Sequence, residues 1–307
     1  MKVEEKLKLI LALSGLTQEG LARRLGVTFA ALNRWINKKA VPRPKALEKI
    51  DAFYLELSGQ KLIPGNVLEA KKSLLFQKQK ARKNVIKSIL ENPDIRDEFF
   101  LALTYNSNRI EGSTLSEGET AAILFHNVAL PDKSLVEQLE AKNHKAALEY
   151  LFDCMEAKKP VNEEIILKLH AILMNAIRQD AGNYRNHPVR IAGANVPTAN
   201  YLKVPFLMKN LAIDIKKRAR DVVSHIAEIH AAFEQIHPFS DGNGRVGRLL
   251  MHAMLLRVNL PPAVIREQKR RFYLAYLNKA QMKNDFSLLE DFICDAVMDG
   301  YKIVERK

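Results

Sequence analysis

The sequence has few of the features that mark secreted or membrane-spanning proteins. It holds two cysteines in 307 residues, and both Cys154 and Cys294 lie within apolar, helix-like runs. This pattern is typical of two buried thiols in a reducing compartment and excludes a disulfide framework. No apolar stretch approaches the ~18 residues of a membrane span, and no cleavable signal peptide is recognisable. We therefore expect a soluble, cytoplasmic protein with no membrane partner.

Three common ligand-binding patterns are also missing. No Gly-x-x-x-x-Gly-Lys-[Ser/Thr] run is present, which excludes the usual P-loop. Residues 242–247 formally fit Gly-x-Gly-x-x-Gly, but the segment before them reads as a helix, where a dinucleotide fold needs a strand. His225, His230 and His237 are spaced by five and seven residues, which does not place three zinc ligands on one helical face.

The net charge of +13 is not spread evenly along the chain. Residues 1–60 hold 11 Lys and Arg against 6 Asp and Glu, and residues 61–90 hold 8 against 1. Residues 91–307 are nearly neutral, with 29 against 28. Such a localised positive field predicts a front end that faces nucleic acid, although a solvated basic helix without a partner would give the same counts.

This basic front end has the pattern of two short helices joined by a glycine turn. Residues 17–25 read as an amphipathic helix with its leucines facing inward. Gly26 can supply the turn, and Thr28 is a good N-cap for a second helix through Asn37. Two helices in this order make a helix-turn-helix.

Residues 6–58 resemble the Cro/lambda-repressor-type module. The matching positions are Thr17, Gln18, Leu21, Ala22, Leu25, Gly26, Val27, Trp35 and Pro42. The resemblance implies that Trp35 is a core residue and that the second helix enters the major groove of DNA. The chain departs from the family where Lys38 replaces a glycine and where residues 29–31 are apolar. The candidate DNA contacts are Thr28, Phe29, Asn33, Arg34 and Lys38, and a module used only for protein contact is the alternative.

The rest of the chain is predicted to be a connector followed by a helical body. Residues 61–95 include seven basic residues and no acid between Lys71 and Lys87, which predicts a basic helix or linker that extends the DNA footprint. From about residue 96 apolar residues recur at three- and four-residue spacing, which predicts helices almost throughout. The exception is a segment rich in glycine and proline, where residues 189–191 alternate like a short strand.

The stretch IHPFSDGNGRVGR, residues 236–248, interrupts the helical pattern. Pro238 disfavours helical geometry in its predecessor, so the helix before it is expected to end ahead of His237. Residues 242–244 permit a tight turn in which consecutive N–H groups point at one anion. Because a helix resumes at Arg245, the loop lies at a helix N-terminus, where phosphate is favoured.

Charged side chains around this loop predict a nucleotide bound with a divalent cation. Arg245 and Arg248 are three residues apart on the same first turn, and two guanidiniums imply more than one phosphate. Asp241 alone would repel an anion, but it suits Mg²⁺, which commonly takes one carboxylate plus substrate phosphates. His237 is of the residue type that can remove a proton from a nucleophile near neutral pH. The constellation therefore predicts a transfer reaction at phosphorus.

Residues 237–248 match His-Pro-Phe-x-Asp-Gly-Asn-Gly-Arg-x-x-Arg in full, and residues 96–300 resemble the Fic-domain proteins on that signature. The resemblance implies an all-α core with a small β-hairpin flap, and transfer of AMP from ATP, with Mg²⁺, to a hydroxyl of a target protein. It assigns His237 as the base, Asp241 as the Mg²⁺ ligand and residues 191–197 as the flap that docks the target. The positions that it assigns to the nucleotide are Gly242, Asn243, Gly244, Arg245, Arg248, Gly193, Tyr273 and Gln281.

A second motif of the same family lies upstream. Ser107 to Gly112 matches the inhibitory [Ser/Thr]-x-x-x-Glu-[Gly/Asn] pattern. A serine and a glutamate four residues apart share one helical face. The resemblance implies that Arg248 binds the γ-phosphate. Glu111 could form a bidentate pair with Arg248 and so take the place that the γ-phosphate needs. We therefore expect an inhibitory helix near residues 104–112.

The predicted fold is all-α, with a helix-turn-helix domain over 1–60, a basic linker or helix over 61–95 and a Fic domain over 96–307. The favoured function is that of a protein adenylyltransferase, auto-inhibited by Glu111, whose N-terminal domain binds DNA and whose target offers a Ser, Thr or Tyr hydroxyl. A DNA-binding regulator that uses the nucleotide site as a sensor is the competing class, and removal of AMP from a modified protein is an alternative reaction. The oligomeric state is left open, with a homodimer as one option.

Overall fold

The computed structural model describes residues 1–58, 61, 63–191 and 196–306, and this part of the chain is built from helices. The α-helices are α1 (Val3–Ser14), α2 (Gln18–Leu25), α3 (Phe29–Ile36), α4 (Pro44–Leu57), α5 (Gly65–Ala81), α6 (Val85–Leu90), α7 (Pro93–Glu111), α8 (Glu117–His126), α9 (Leu135–Glu156), α10 (Glu163–Leu173), α11 (Val204–Ile215), α12 (Val222–Ile236), α13 (Asn243–Arg257), α14 (Arg270–Lys283) and α15 (Ser287–Val304). Short 3-10 turns, Tyr201–Lys203 and Glu267–Lys269, precede α11 and α14.

Helices α1 to α4 form the N-terminal bundle, in which Gly26 and Thr28 take the turn and cap roles that the sequence predicts. The Thr17 hydroxyl accepts from the Gly20 N–H at the start of α2, and Gly26 ends that helix at φ 69°. Thr28 caps α3 through the Ala31 N–H. The predicted helix-turn-helix geometry is therefore confirmed.

Trp35 differs from the prediction, because it is only half-buried at the edge of the core. Leu32 and Ile36 of the same helix are the buried residues, since they lie on the face turned toward α1 and α2. Lys38, where the related module has a glycine, adopts a left-handed φ of 61° and so takes a backbone conformation that glycine adopts more easily.

The basic segment packs against the rest of the protein, whereas the sequence suggested a helix or linker that extends the DNA footprint. Helix α5 packs against α15. Lys71 lies 2.6 Å from Asp291 and 2.8 Å from Asp295, and Lys72 lies 2.6 Å from Glu290. Both lysines thus form ion pairs with acidic residues some 220 positions further along the chain. Lys71 and Lys72 therefore hold α5 against α15, and the DNA footprint expected of the basic segment stays a prediction.

Helix α13 lies at the centre of the larger unit. It contacts α7, α9, α10 and α12, and nearly all its residues are buried. Its N-terminus follows the loop after α12, so the predicted anion-binding turn opens from the middle of the core rather than from a surface loop. This placement holds the loop on a rigid support.

The predicted small β-hairpin is not supported. Residues 189–191 are irregular, and no strand occurs in the part of the chain that the structure describes. Residues 192–195, including Gly193, lie outside it. A physical reason is that Pro188 and Pro197 have no N–H to donate to a ladder. The two sides are joined instead by the Thr198 hydroxyl, which donates to the Val189 carbonyl at 2.8 Å.

Two further expectations concern thiols and membranes. Cys154 and Cys294 are both free and buried, as the sequence predicts. Among the helices of the described residues, none is long and apolar enough to cross a membrane.

Candidate active site

The loop between α12 and α13 has the geometry that its proline and glycines predict. Helix α12 ends at Ile236, and His237 follows it at φ 52°, in the left-handed region. Gly242 is also left-handed, at φ 76°, and α13 begins at Asn243. This conformation favours glycine, and a Cβ at Gly242 would lie 2.2 Å from the Met174 methyl carbon, so that the methionine side chain would have to shift.

The Asn243 side chain holds this loop in shape. Its Oδ1 accepts from the Phe239 N–H at 2.8 Å, and its Nδ2 donates to the Phe239 carbonyl at 2.8 Å. The side chain is thereby committed to the loop itself. What residues 243–244 offer to a ligand is backbone N–H groups of the first turn of α13, which have no intrahelical partner.

Phe239 anchors the loop in the core. Its side chain is fully buried and stacks on the His170 ring, with centroids 3.7 Å apart and planes 8° apart. The Gly182 N–H donates to His170 Nδ1 at 2.9 Å, so Nε2 carries the proton and donates to the Asp241 carbonyl at 3.2 Å. Burial lowers the pKa of His170 to about 4, and the ring is therefore neutral.

His237 is held from both sides. Its carbonyl accepts from Arg185 Nε at 2.7 Å, and its Nδ1 lies 3.2 Å from the Glu234 carbonyl. If Nδ1 donates to that carbonyl, Nε2 is left without a proton, which is the form a general base needs. Burial lowers the pKa of His237, and the Arg185 charge lowers it further.

Asp241 is the most exposed acidic group at the loop, with 54% of its side chain accessible. Its Oδ1 accepts from the Gly242 N–H at 2.6 Å and lies 3.7 Å from an Arg245 nitrogen. In the described residues no group of three or more His, Cys, Asp or Glu side chains is arranged to hold a metal. A divalent cation at Asp241 would therefore take its other oxygen ligands from water or from substrate phosphates.

The two predicted phosphate-binding arginines turn in different directions. Arg248 faces α7: its Nε donates to the Ser107 hydroxyl at 2.9 Å, and a terminal nitrogen donates to Glu111 Oε1 at 2.7 Å. Arg245 faces α9 and pairs with Glu140 at 2.7 Å. Arg248 lines the cavity described below, whereas Arg245 is buried beneath it.

Glu111 lies where an anion bound to the loop would lie. A Cβ added at Gly244 would be 2.3 Å from Glu111 Oε1, so the carboxylate rests directly on the first turn of α13. Burial favours the neutral acid, but the charge of Arg248 and the hydrogen bond from it outweigh burial, and the pKa of Glu111 lies below its ordinary value. The expected bidentate pair is wrong in detail, because one Glu111 oxygen bonds Arg248, whose Nε donates to the Ser107 hydroxyl instead.

One cavity of about 650 Å³ joins these groups. Its walls come from the loop, the end of α7, helix α14 and the ends of α1 and α4. The predicted site residues that line it are Glu111, His237, Asp241, Gly242, Asn243, Gly244, Arg248, Tyr273 and Gln281. Its volume lies within the range of about 300–1,000 Å³ that is usual for small-molecule sites.

Beneath the cavity lies a buried polar network centred on α13. His230 Nε2 lies 2.7 Å from the Tyr273 hydroxyl, and its Nδ1 lies 3.2 Å from the Gly247 carbonyl. His230 is thus a structural residue, as its spacing suggests. Glu234 is almost fully buried with its Oε1 unpartnered, and burial raises its pKa to about 8.

We predict that acid destabilises the fold through the buried histidines. Burial lowers the pKa of both His230 and His252 to about 3, so the folded state holds fewer protons than the unfolded state below pH 6.5. The free energy of unfolding that the two neutral histidines support is fully present above pH 6.5 and is lost as the pH falls toward 3. The loss amounts to about 2 kcal/mol per histidine by pH 5. The melting temperature should fall from pH 7 to pH 5, and His252→Leu should reduce that fall. An equal fall in both proteins would contradict this assignment.

Sequence reasoning missed several residues that shape the site. Arg185 is buried and holds the His237 carbonyl, Glu140 takes Arg245, and His170 supports Phe239. Each is distant from the loop in sequence and stands in no recognisable motif. Only a view of spatial neighbours could have found them.

The predicted DNA contacts lie on and around α3. Some of their side chains are exposed, and others are already hydrogen-bonded within the domain. Phe29 and Arg34 are exposed. The Thr28 hydroxyl is used as a cap, and Asn33 donates to Gln18 at 3.1 Å and accepts from Asn37 at 3.0 Å. The exposed Lys38 lies 3.6 Å from Glu4.

Comparison with known families agrees with this architecture. Residues 160–255 match the Fic/DOC family, and residues 7–54 match a helix-turn-helix family. The chain therefore carries a Fic/DOC domain together with an N-terminal helix-turn-helix domain.

Curated relatives share this similarity over part of their length. The chain is 33% identical over 189 residues to protein adenylyltransferase Fic of Nematostella vectensis, covering 61% of this chain and 44% of that protein. It is 34% identical over 194 residues to protein adenylyltransferase fic-1 of Caenorhabditis briggsae, covering 61% of this chain and 38% of that protein. The chain thus spans less than half the length of these relatives.

Solved structures show the same fold. A Fic domain containing signaling protein from Bacteroides thetaiotaomicron is similar with a TM-score of 0.67 and 25% identity, over 76% of this chain and 97% of that one. Fic-1 (residues 134–508) from C. elegans is similar with a TM-score of 0.67 and 21% identity, over 97% of this chain and 98% of that one. At that identity the second likeness shows the fold alone.

Proposed function

We propose that this protein is an adenylyltransferase that moves AMP from ATP to a hydroxyl side chain of a target protein. The observation that carries the proposal is the arrangement of His237, Asp241 and Arg248 around one cavity at the N-terminus of α13. This arrangement offers a base, a metal ligand and a phosphate ligand. The curated relatives, which are named protein adenylyltransferases, support the same class of reaction.

In this proposal His237 acts as the base, and the N-terminus of α13 binds the phosphates. His237 Nε2 accepts the proton of the target hydroxyl, whose oxygen attacks the α-phosphorus of ATP. The bond between the α-phosphorus and the bridging oxygen breaks, and pyrophosphate leaves. The first-turn N–H groups of α13 stabilise charge on the phosphates as it develops.

Asp241 fits a Mg²⁺ site. Its carboxylate is exposed at the cavity, and Mg²⁺ is typically held by one or two carboxylates together with substrate phosphates. When bound, the ion would neutralise phosphate charge. Arg248 would hold the γ-phosphate end once Glu111 has moved, whereas Arg245 reaches a β-phosphate only if it leaves Glu140.

Auto-inhibition by Glu111 is part of the proposal. The carboxylate lies against Gly244 and is bonded to Arg248, so it competes with a triphosphate for both the N–H groups and the guanidinium. We propose that wild-type protein binds ATP weakly or in a geometry unsuited to transfer. In this proposal, the contact of Glu111 with Gly244 and Arg248 defines the inhibited state.

The reaction class is tested with Glu111→Gly protein, Mg²⁺, cell lysate and ATP labelled at either the α- or the γ-phosphate. Adenylyl transfer predicts label on protein from the α-position alone. Label from the γ-position alone would show phosphoryl transfer and overturn the proposal. Label from neither, with ATP still bound, would favour a nucleotide sensor or the reverse reaction.

The pH profile of transfer should report His237. Because burial lowers its pKa below the ordinary 6.5, the ring stays unprotonated at neutral pH and on slight acidification. We expect the acid limb of kcat/KM for Glu111→Gly protein to lie below pH 6.5. A limb well above that pH would mean that another group is the base.

We propose further that the N-terminal domain binds DNA through α3. The exposed Arg34 and Lys38 are the side chains best placed to meet phosphates. Changing both to alanine should weaken binding to duplex DNA and lower the slope of log affinity against log salt by about two. Lys168→Ala, an exposed site on α10, removes charge elsewhere and should leave binding almost unchanged. If the wild type shows no salt-dependent DNA binding, the domain serves protein contact instead.

A further inference from the structure

The cavity of the Fic domain is walled in part by the helix-turn-helix domain. Leu13 at the end of α1 and Leu57 at the end of α4 line it, together with the loop of residues 241–244. Leu274 and Leu277 of α14 line the same cavity, and Arg271 of that helix contacts Leu13. The cavity therefore combines a polar loop with apolar side chains to which both domains contribute.

The N-terminal domain is firmly docked where this happens. Arg271 of α14 donates to the Leu13 carbonyl. Gly15, at φ 53°, lies so close that a Cβ there would be 2.1 Å from the Arg271 guanidinium. The left-handed backbone favours glycine at this position, and the Arg271 side chain of α14 lies directly against it.

Aromatic packing completes the contact. The Phe53 and Phe272 rings lie 6.0 Å apart, edge to face. The Arg24 guanidinium lies 4.8 Å from the first ring and 5.7 Å from the second. Both phenylalanines are buried. The docked position is therefore built by specific side chains and is not a loose tether.

Two apolar side chains of the cavity wall are available to a ligand. Leu13 keeps 44% and Leu274 keeps 39% of its surface exposed, although both line the cavity. Apolar surface left open in the same cavity as a phosphate-binding turn suits the flat, apolar faces of a nucleobase.

We propose that the helix-turn-helix domain completes the nucleotide site, with Leu13 of α1 and Leu274 of α14 forming the wall against which the purine base of ATP packs. The inference rests on the proposed function, since it takes ATP as the ligand. It adds that the Fic domain alone has an open base site. The two domains then share one ligand, and displacement of the N-terminal domain weakens nucleotide binding.

The test compares ATP with inorganic tripolyphosphate, which carries the phosphates without a base. Binding is measured by calorimetry with Mg²⁺ on full-length Glu111→Gly protein, with and without Leu13→Ala. We expect Leu13→Ala to weaken ATP binding about tenfold, because it removes three side-chain carbons from a wall that stays partly open to solvent. Affinity for tripolyphosphate should stay within about twofold.

Leu9→Ala is the matched control. Leu9 lies one turn earlier on α1, is 40% exposed and does not line the cavity, so its loss should not change ATP affinity. Equal ATP affinity with and without Leu13→Ala would overturn the inference and leave the proposed function intact. Parallel loss of ATP and tripolyphosphate, or an equal loss in Leu9→Ala, would overturn it as well. If the Glu111→Gly parent binds no ATP, the proposed function fails and the inference fails with it.

Discussion

Glu111→Gly should bind ATP at least tenfold more tightly than the wild type and should transfer AMP where the wild type transfers little. The wild-type carboxylate is bonded to Arg248 at 2.7 Å and rests on Gly244. A hydrogen bond to a charged group contributes about 1.5–3 kcal/mol. Since 39% of the Glu111 side chain is exposed, we take the lower end, which is roughly tenfold in affinity.

The position of Glu111 at the end of α7 means that Glu111→Gly removes the carboxylate with little effect on helix stability. Glu111 is the last residue of α7, and Gly112 already caps the helix, so a second glycine at its end costs little helix stability. Removal of the carboxylate frees the Arg248 guanidinium and uncovers the first turn of α13. Both are needed by a triphosphate.

Two controls separate charge from helix stability. Glu111→Gln keeps the size and a hydrogen-bond acceptor but loses the charge, so its ATP affinity should lie between those of wild type and Glu111→Gly. Glu98→Gly weakens α7 at a residue paired with Arg306, away from the cavity, and should not raise ATP affinity. Equal ATP affinity in wild type and Glu111→Gly, measured by calorimetry, would contradict auto-inhibition by this residue.

His237→Ala, placed in the Glu111→Gly background, should lower AMP transfer by about 10²–10⁴-fold, the usual contribution of general acid–base catalysis. The ring lines the cavity with Nδ1 against the Glu234 carbonyl, which leaves Nε2 for the proton of the target. ATP affinity should change little, because the loop is held by the Asn243 and Phe239 contacts and not by the imidazole.

The same variant separates an enzyme from a sensor. A protein that only senses nucleotide needs no base, so its ATP-dependent response, such as altered DNA binding, would survive His237→Ala. Label transfer that persists undiminished in the double variant would exclude His237 as the base. Calorimetry gives the ATP affinity and label transfer gives the rate of AMP transfer, both measured on the same samples.

Local chemistry made much of the fold predictable from sequence. The caps at Thr17 and Thr28, the left-handed Gly26 and the break at Pro238 are each dictated by neighbours a few residues away. The geometry of the loop followed from the same signals, because proline and glycine act directly on the backbone.

What the sequence did not reveal depends on contacts distant along the chain. The alternation at residues 189–191 favoured a strand, but a ladder also needs partners with free N–H groups. The run of lysines in α5 suggested a DNA footprint, yet Lys71 and Lys72 find acids on α15. The turn of Arg245 toward Glu140 and the approach of Leu13 to the cavity likewise arise only when helices pack.

The most direct test of the account is transfer of label from α-labelled ATP to protein by Glu111→Gly and by Glu111→Gly/His237→Ala, side by side with Mg²⁺ and cell lysate. We predict strong labelling with the single variant and almost none with the double variant at equal ATP occupancy. Equal labelling by the two variants, or no labelling by the single variant although it binds ATP, would contradict the assignment of this site to AMP transfer with His237 as its base.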